Sequence, residues 1–189
     1  VRIATVVNFP AGGEDVDRVT DDVQEALSDG ANEIDLVLPY DAVRRGDLMI
    51  ATDMIEAVRD LADQGRLLKV ILETGELKDA TLIETASRIS IDAGADFIKT
   101  STGKTPVSAT PEAAEIMLNA IKASGRDVGL KPSGGIRTVA DAKIYLDLAE
   151  HIMGPGWVTP QRFRIGASSV YDALIAAIEG RDAAATGAY

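Results

Sequence analysis

The sequence contains no cysteine, which excludes disulfide bridges and thiolate-bound zinc. It contains one histidine, His151, which argues against a His-rich metal cluster and a Ser-His-Asp hydrolase. Aromatic residues make up only 4% of the chain, although 46% of it is hydrophobic. The core must therefore be built from Ala, Val, Ile and Leu. No apolar run reaches the roughly 20 residues that a membrane-spanning helix needs. The opening residues do not read as a secretory leader, so the expected compartment is the cytoplasm. Basic residues are outnumbered, with 19 Lys and Arg against 30 Asp and Glu and a net charge of −11. That balance argues against nucleic-acid binding, which draws on a basic surface.

What is present is a regular alternation. Short apolar runs occur at IATVV (3–7), EIDLVLP (33–39), LLKVILE (67–73), DFIKTS (96–101), VGLKP (128–132) and RFRIGASS (162–169). Most are too apolar for a strand with one wet face, and read as strands covered on both faces. Amphipathic stretches lie between them at 15–29, 51–64, 79–93, 110–124, 138–150 and 170–179. Gly30, Gly65, Gly94 and Gly125 stand where helices stop, and Thr110-Pro111 stands where one starts. The reading is six strands, each followed by a helix. Residues 1–180 form one domain in this reading, and 181–189 a mobile C-terminal tail.

Strands alternating with helices imply a parallel sheet. An open doubly wound sheet gathers ligands at one switch point, whereas a (β/α)8 barrel brings every strand end to one mouth. Here polar residues sit near the ends of almost all the apolar runs: Asn8, Asp35, Lys69 with Glu73, Lys99, Lys131, and Gly166 with Ser168. That distribution favours the barrel. A barrel needs eight units and typically about 250 residues, so 189 residues fall about two units short.

Three of the runs carry a lysine each: Lys69, Lys99 and Lys131. A fourth carries Asp35. A lone strand-end lysine snorkels to water, but three beside an aspartate on neighbouring strands point to a shared cavity. A buried ammonium is costly, and both burial and nearby cations lower its pKa. The neutral amine that results is a nucleophile for carbonyls, through a Schiff base. Asp35 offsets part of the charge and can move protons. Three glycine-containing turns follow strands: STGK (101–104), SGGIRT (133–138) and GASS (166–169). Such turns present backbone N–H groups to anions, and Lys104 and Arg137 lie in them. Together they predict a phosphate site, although STGK lacks the spacing of a nucleotide P-loop.

The blocks ATVVNFP, ANEIDLVLPY, LLKVILETGELKD, GADFIKTSTGK, ATPE, VGLKPSGGIRT and RIGASS resemble, in order, those of the deoxyribose-phosphate aldolase family. The resemblance covers residues 2–170 and extends to the terminal Tyr189. It implies a (β/α)8-barrel class I aldolase that reversibly cleaves 2-deoxy-D-ribose 5-phosphate to acetaldehyde and D-glyceraldehyde 3-phosphate, with no metal and no cofactor. By the family pattern Lys99 is the Schiff-base lysine and Lys131 the second lysine that perturbs it. Asp35 is the proton-shuttling carboxylate, and Lys69 a further member of the network. Gly103, Lys104, Gly134, Gly135, Arg137, Gly166, Ser168 and Ser169 fall on the phosphate cradle. Tyr189 matches a C-terminal tyrosine that assists proton transfer in some family members.

Two family units that precede ATVVNFP have no counterpart in the chain, which starts in a strand-like segment. The expectation is therefore a fragment of a longer product or a truncated gene. Expressed alone, it should be poorly soluble or weakly active, since an open arc leaves sheet edges unpaired. Size-exclusion chromatography and a retro-aldol assay test this, and a monodisperse, fully active chain would overturn it. The readings kept beside the aldolase are an inactive fragment or sugar-phosphate-binding barrel, and a Schiff-base aldolase for another sugar phosphate. The sequence does not give the oligomeric state; a homodimer is the assembly to test.

Overall fold

The structure is a computed structural model and describes residues 2–63, 65–166 and 169–180. Its elements run β1 (Ala4–Val7), α1 (Val16–Ser28), β2 (Glu33–Val37), α2 (Tyr40–Arg44), α3 (Leu48–Leu61), β3 (Leu67–Ile71), α4 (Thr74–Leu77), α5 (Ala80–Asp92), β4 (Phe97–Lys99), α6 (Pro111–Ser124), β5 (Gly129–Lys131), α7 (Val139–Met153) and α8 (Ser169–Ile178).

The strands form one parallel sheet in the order β1-β2-β3-β4-β5. Sequential order with right-handed crossovers sends every connection to the same side of the sheet. The doubly wound alternative, which reverses at a switch point, is excluded. The sheet is an open arc of a (β/α)8-type barrel that lacks some of the eight units.

The predicted helix boundaries hold to within a few residues because local chemistry fixes them. Asp15 caps α1 by accepting from Arg18 N, and Asp79 caps α5 through Thr81 N and Leu82 N. Thr110 caps α6, with Pro111 in its first turn and Gly125 closing it in the left-handed region. Each such cap contributes about 1 kcal/mol. The short helices α2 and α4 were not anticipated. They are turns of five and four residues, too short to carry a helical hydrophobic period.

The sixth predicted strand is not formed as one among the described residues. Its segment forms only isolated bridges, Phe163 with Leu130 of β5 and Gly166 with Ser133 just beyond it. The cause lies in β5, which has three residues and is followed by Pro132, a residue with no N–H to donate to a ladder. Gly166 N still donates to Pro132 O at 2.8 Å, and Gly134 N to Gly166 O at 3.1 Å. The chain therefore follows the sheet edge without completing a strand.

Period-two alternation sorts the sheet residues. Ile34, Leu36, Leu68, Val70, Ile98 and Leu130 pack with Met54, Ile55, Val58, Met117 and Leu118 in the aliphatic core. Glu33, Asp35, Lys69, Phe97, Lys99 and Lys131 alternate with them on the opposite, inner face. Phe97 fits there because its neighbour on β5 is Gly129: a Cβ at that position would lie 2.3 Å from Phe97 Cε1 and 2.7 Å from Arg162 O. Gly129→Ala is expected to lower stability by about 1–3 kcal/mol through overpacking, read as a lower urea midpoint with an unchanged m-value.

Candidate active site

Asp35 stands at the middle of β2, with its side chain only 3% exposed. A carboxylate at that depth must find donors or lose its charge. Register supplies them: Asp35 is paired with Lys69 on β3, and Lys99 with Lys131 across β4 and β5. Lys69 Nζ lies 2.6 Å from Asp35 Oδ1, while Lys99 Nζ at 2.9 Å and Lys131 Nζ at 3.0 Å share Oδ2. Four residues spread over 96 positions of sequence thus meet on one carboxylate. Lys99 and Lys131 are on the same face and converge on a single oxygen atom.

The surrounding charges grade the four groups. Burial pushes the Asp35 carboxyl up, but the ammonium groups of Lys99, Lys131 and Lys69 outweigh it and hold Asp35 below the usual carboxylate range. Burial pulls Lys131 below the ordinary lysine value, and Lys99 adds to the effect, against the opposing pull of Asp35. Lys69, fully buried, turns its other side to Glu33 Oε2 at 2.7 Å. Glu33 also receives Arg164 at 2.6 Å, whose guanidinium lies 4.8 Å from the Phe97 ring centre. Lys69, Lys99, Lys131 and Arg164 thus converge on two carboxylates, those of Asp35 and Glu33.

The loops at the strand ends form a second region. The STGK turn is anchored by Glu73, which is fully buried at the end of the LLKVILE run. Gly103 of that turn and Gly134 of the SGGIRT turn approach closely, since a Cβ on Gly134 would sit 3.4 Å from Gly103 Cα and 2.6 Å from the Ser108 side chain. Gly166 is equally confined: a Cβ there would meet Ser133 Oγ at 2.4 Å and Lys131 Cε at 3.2 Å. Gly103 and Gly134 therefore lie close together, and Gly166 lies against Ser133 and Lys131. Lys104 and Arg137 are both exposed, and among the described residues no carboxylate lies within salt-bridge distance of either.

One detail differs from expectation. The amides of Arg137 and Thr138 do not await an anion: Asp141 Oδ2 accepts both, at 3.0 and 2.9 Å, in a capping box at the start of α7. The amides in that turn left without a protein acceptor among the described residues are those of Gly135 and Ile136. Ser169 begins α8, but its side chain is outside the described residues, as are Ser168 and Tyr189. Glu33, Arg164 and the anchoring of STGK by Glu73 were not picked out as site features from the sequence. Glu33 could have been found by its spacing, two residues before Asp35 on the same strand face.

The DeoC/LacD family aldolase pattern matches residues 1–169. The chain belongs to that family. It is 56% identical over 184 residues to the deoxyribose-phosphate aldolase of Agrobacterium fabrum, covering 97% of this chain and 71% of that protein. Among solved structures it is similar to a candidate deoxyribose-phosphate aldolase from Coccidioides immitis. That match has a TM-score of 0.78 and 31% identity, and covers 89% of this chain and 61% of that one. It is also similar to the deoxyribose phosphate aldolase of Aeropyrum pernix, described as a unique tetramer, with a TM-score of 0.73 and 26% identity over 94% of this chain and 68% of that one. The chain thus spans between about three fifths and seven tenths of the length of these relatives. The family expected from the sequence blocks and the barrel-type fold both stand.

Asp35 gives the aldolase fold an acid-side weakness. Its unfolded value is near 3.8 and its folded value is lower, so the unfolded chain binds the extra proton. Its contribution to stability is complete above the usual carboxylate range and is lost as pH falls through that range towards the folded value. Asp35→Asn is expected to flatten this acid-side fall. It should also lower stability at neutral pH by about 3–5 kcal/mol, because the buried ammonium groups lose their shared partner. Urea midpoints measured across the acid range check both outcomes.

Proposed function

We propose that the chain is a deoxyribose-phosphate aldolase that works through a Schiff base on Lys99. The observation that carries the reading is the shared Asp35 Oδ2, on which the Lys99 and Lys131 amines converge at 2.9 and 3.0 Å. Two amines on one oxygen can pass a proton between them. Burial favours the neutral form of Lys131, so Lys131 can take the proton that Lys99 must lose before it attacks.

Lys99 Nζ then adds to C1 of the open-chain sugar, and loss of water leaves a protonated imine. The C3 hydroxyl gives up its proton, the C3 carbonyl forms, and the bond between C2 and C3 breaks with its electron pair drawn towards the imine nitrogen. D-Glyceraldehyde 3-phosphate leaves, and an enamine remains on Lys99. Protonation at C2 and hydrolysis release acetaldehyde and the free amine. Lys131, through water, carries these protons, while the Asp35 carboxylate accepts from both amines and orients them. Asp35 keeps its charge throughout the neutral range and so holds the relay in place, with Lys69 fixed between it and Glu33. The cradle formed by Gly103, Lys104, Gly134, Gly135, Arg137, Gly166, Ser168 and Ser169 holds the phosphate and supplies orientation. Tyr189 belongs to the same proposal as a residue assisting proton transfer at C2.

The relatives support this reading over a sugar-phosphate binder or an inactive fragment. No helix among the described residues is long and apolar enough to cross a membrane. A cytoplasmic location and a homodimer remain part of the proposal.

Borohydride reduction in the presence of acetaldehyde is expected to leave an N-ethyl group on Lys99, located by peptide mass spectrometry. Lys99→Ala should show none, and an unmodified parent chain would refute the Schiff base. Lys131→Arg keeps a cation but cannot act as a base. It is expected to lower kcat by about 10²–10⁴-fold, the usual range for lost acid–base assistance, as measured by coupled release of D-glyceraldehyde 3-phosphate.

A further inference from the structure

We infer that Glu73 is the positioning residue of the phosphate turn: it holds STGK in its anion-binding shape without touching substrate or the Lys99 amine. The inference rests on the proposed aldolase reading for the identity of the anion, but its geometry stands apart from the catalytic lysines.

Glu73 is fully buried and follows β3 on the way into α4. Its backbone is in the left-handed region, at φ 54°, a conformation sparsely populated by non-glycine residues and kept where the surroundings enforce it. The reason is visible in its carboxylate. Oε2 accepts from the backbone N–H of Thr102 at 3.1 Å and from the Thr102 hydroxyl, and Oε1 accepts from the Thr105 hydroxyl at 3.1 Å. Thr102 Oγ1 in turn accepts the N–H of Lys104 at 3.1 Å. One buried charge thus orients the backbone on both sides of Gly103, and charge-assisted bonds of this kind are the stronger ones.

The rest of the turn is clamped to the same unit. Thr74 N donates to Thr100 O at 2.9 Å. A Cβ on Gly75 would lie 2.0 Å from Val107 O, so α4 docks flush against the far end of the loop. Thr105 Oγ1 also lies 2.9 Å from Val107 O, a second acceptor that shares its one proton with Glu73. The loop 101–107 is therefore built on the GELK turn as a platform, and this accounts for a turn that the chemistry of the lysines leaves unused. The platform presents Gly103, with φ 79°, to Gly134 across the cradle, with the exposed Lys104 beside it.

The inference separates the two halves of the site. The lysines act at the carbonyl end of the sugar, and Glu73 acts at the phosphate end only. In Glu73→Gln the amide NH2 faces donors, and the Thr102 hydroxyl proton loses its charged acceptor. Inorganic phosphate binding is measured by isothermal titration calorimetry on the parent chain, Glu73→Gln and Thr105→Val, apart from any turnover. Phosphate affinity is expected to fall about tenfold or more in Glu73→Gln, in line with the loss of a charged hydrogen-bond acceptor, and several-fold in Thr105→Val. In the cleavage assay KM for 2-deoxyribose 5-phosphate should rise in parallel. The rate constant kcat/KM for unphosphorylated 2-deoxyribose, and borohydride trapping of acetaldehyde on Lys99, should stay unchanged.

A parent chain that binds no phosphate overturns the inference, as does a Glu73→Gln variant of unchanged phosphate affinity. Equal losses on the phosphorylated and unphosphorylated sugars overturn it too, since they would place Glu73 in support of Lys99 or of the fold. If Glu73→Gln does not fold by circular dichroism, Thr105→Val decides by the same comparison. Failure of the aldolase reading appears separately, as no cleavage and no adduct on Lys99 in a parent chain that still binds phosphate.

Discussion

A single carboxylate organises the inner face of this protein. Asp35 is buried and accepts from three lysines on neighbouring strands. Without it three largely buried ammonium groups would lose their shared partner, which would cost the fold roughly 3–5 kcal/mol. With it the lysines are held but not fully neutralised, because Glu33 serves Lys69 and Arg164 as well. Burial, more than the neighbouring charges, pulls Lys131 below the ordinary lysine value.

A second carboxylate does comparable work at the loops. Glu73 gathers donors from Thr102 and Thr105 as Asp35 gathers them from lysines, but its donors are neutral and its product is shape. The two sites are continuous along β3: Lys69 points to Asp35, and the residues after the strand carry Glu73. The strand itself is held on both sides by pairing with β2 and β4.

Much of this is legible in the sequence. A lysine inside an apolar run is so costly that its presence announces partners, and Lys69, Lys99, Lys131 and Asp35 were found on that ground. Helix ends were legible where Asp15, Thr110 and Gly125 cap them. The sixth strand was not, because RFRIGASS has strand composition while its pairing fails for a reason located elsewhere, in the brevity of β5 and in Pro132. Glu73 was legible as a strand-end polar residue but not in its role. Its three donors come from residues 29 and 32 positions away, and no local pattern marks them.

The sequence by itself determined the alternation of strands and helices, the aliphatic core, the residue types of the site and the family. Those properties depend on hydrophobic period, capping chemistry and motif order, all of which act over a few residues. Only the tertiary structure decided that two lysines share one oxygen of Asp35, that Glu33 and Arg164 complete the charge balance, and that Asp141 takes amides expected to be free. Each of these depends on strand register and loop docking, where shifts of an ångström or two make or break a hydrogen bond, and such distances are set by packing between segments far apart in the chain.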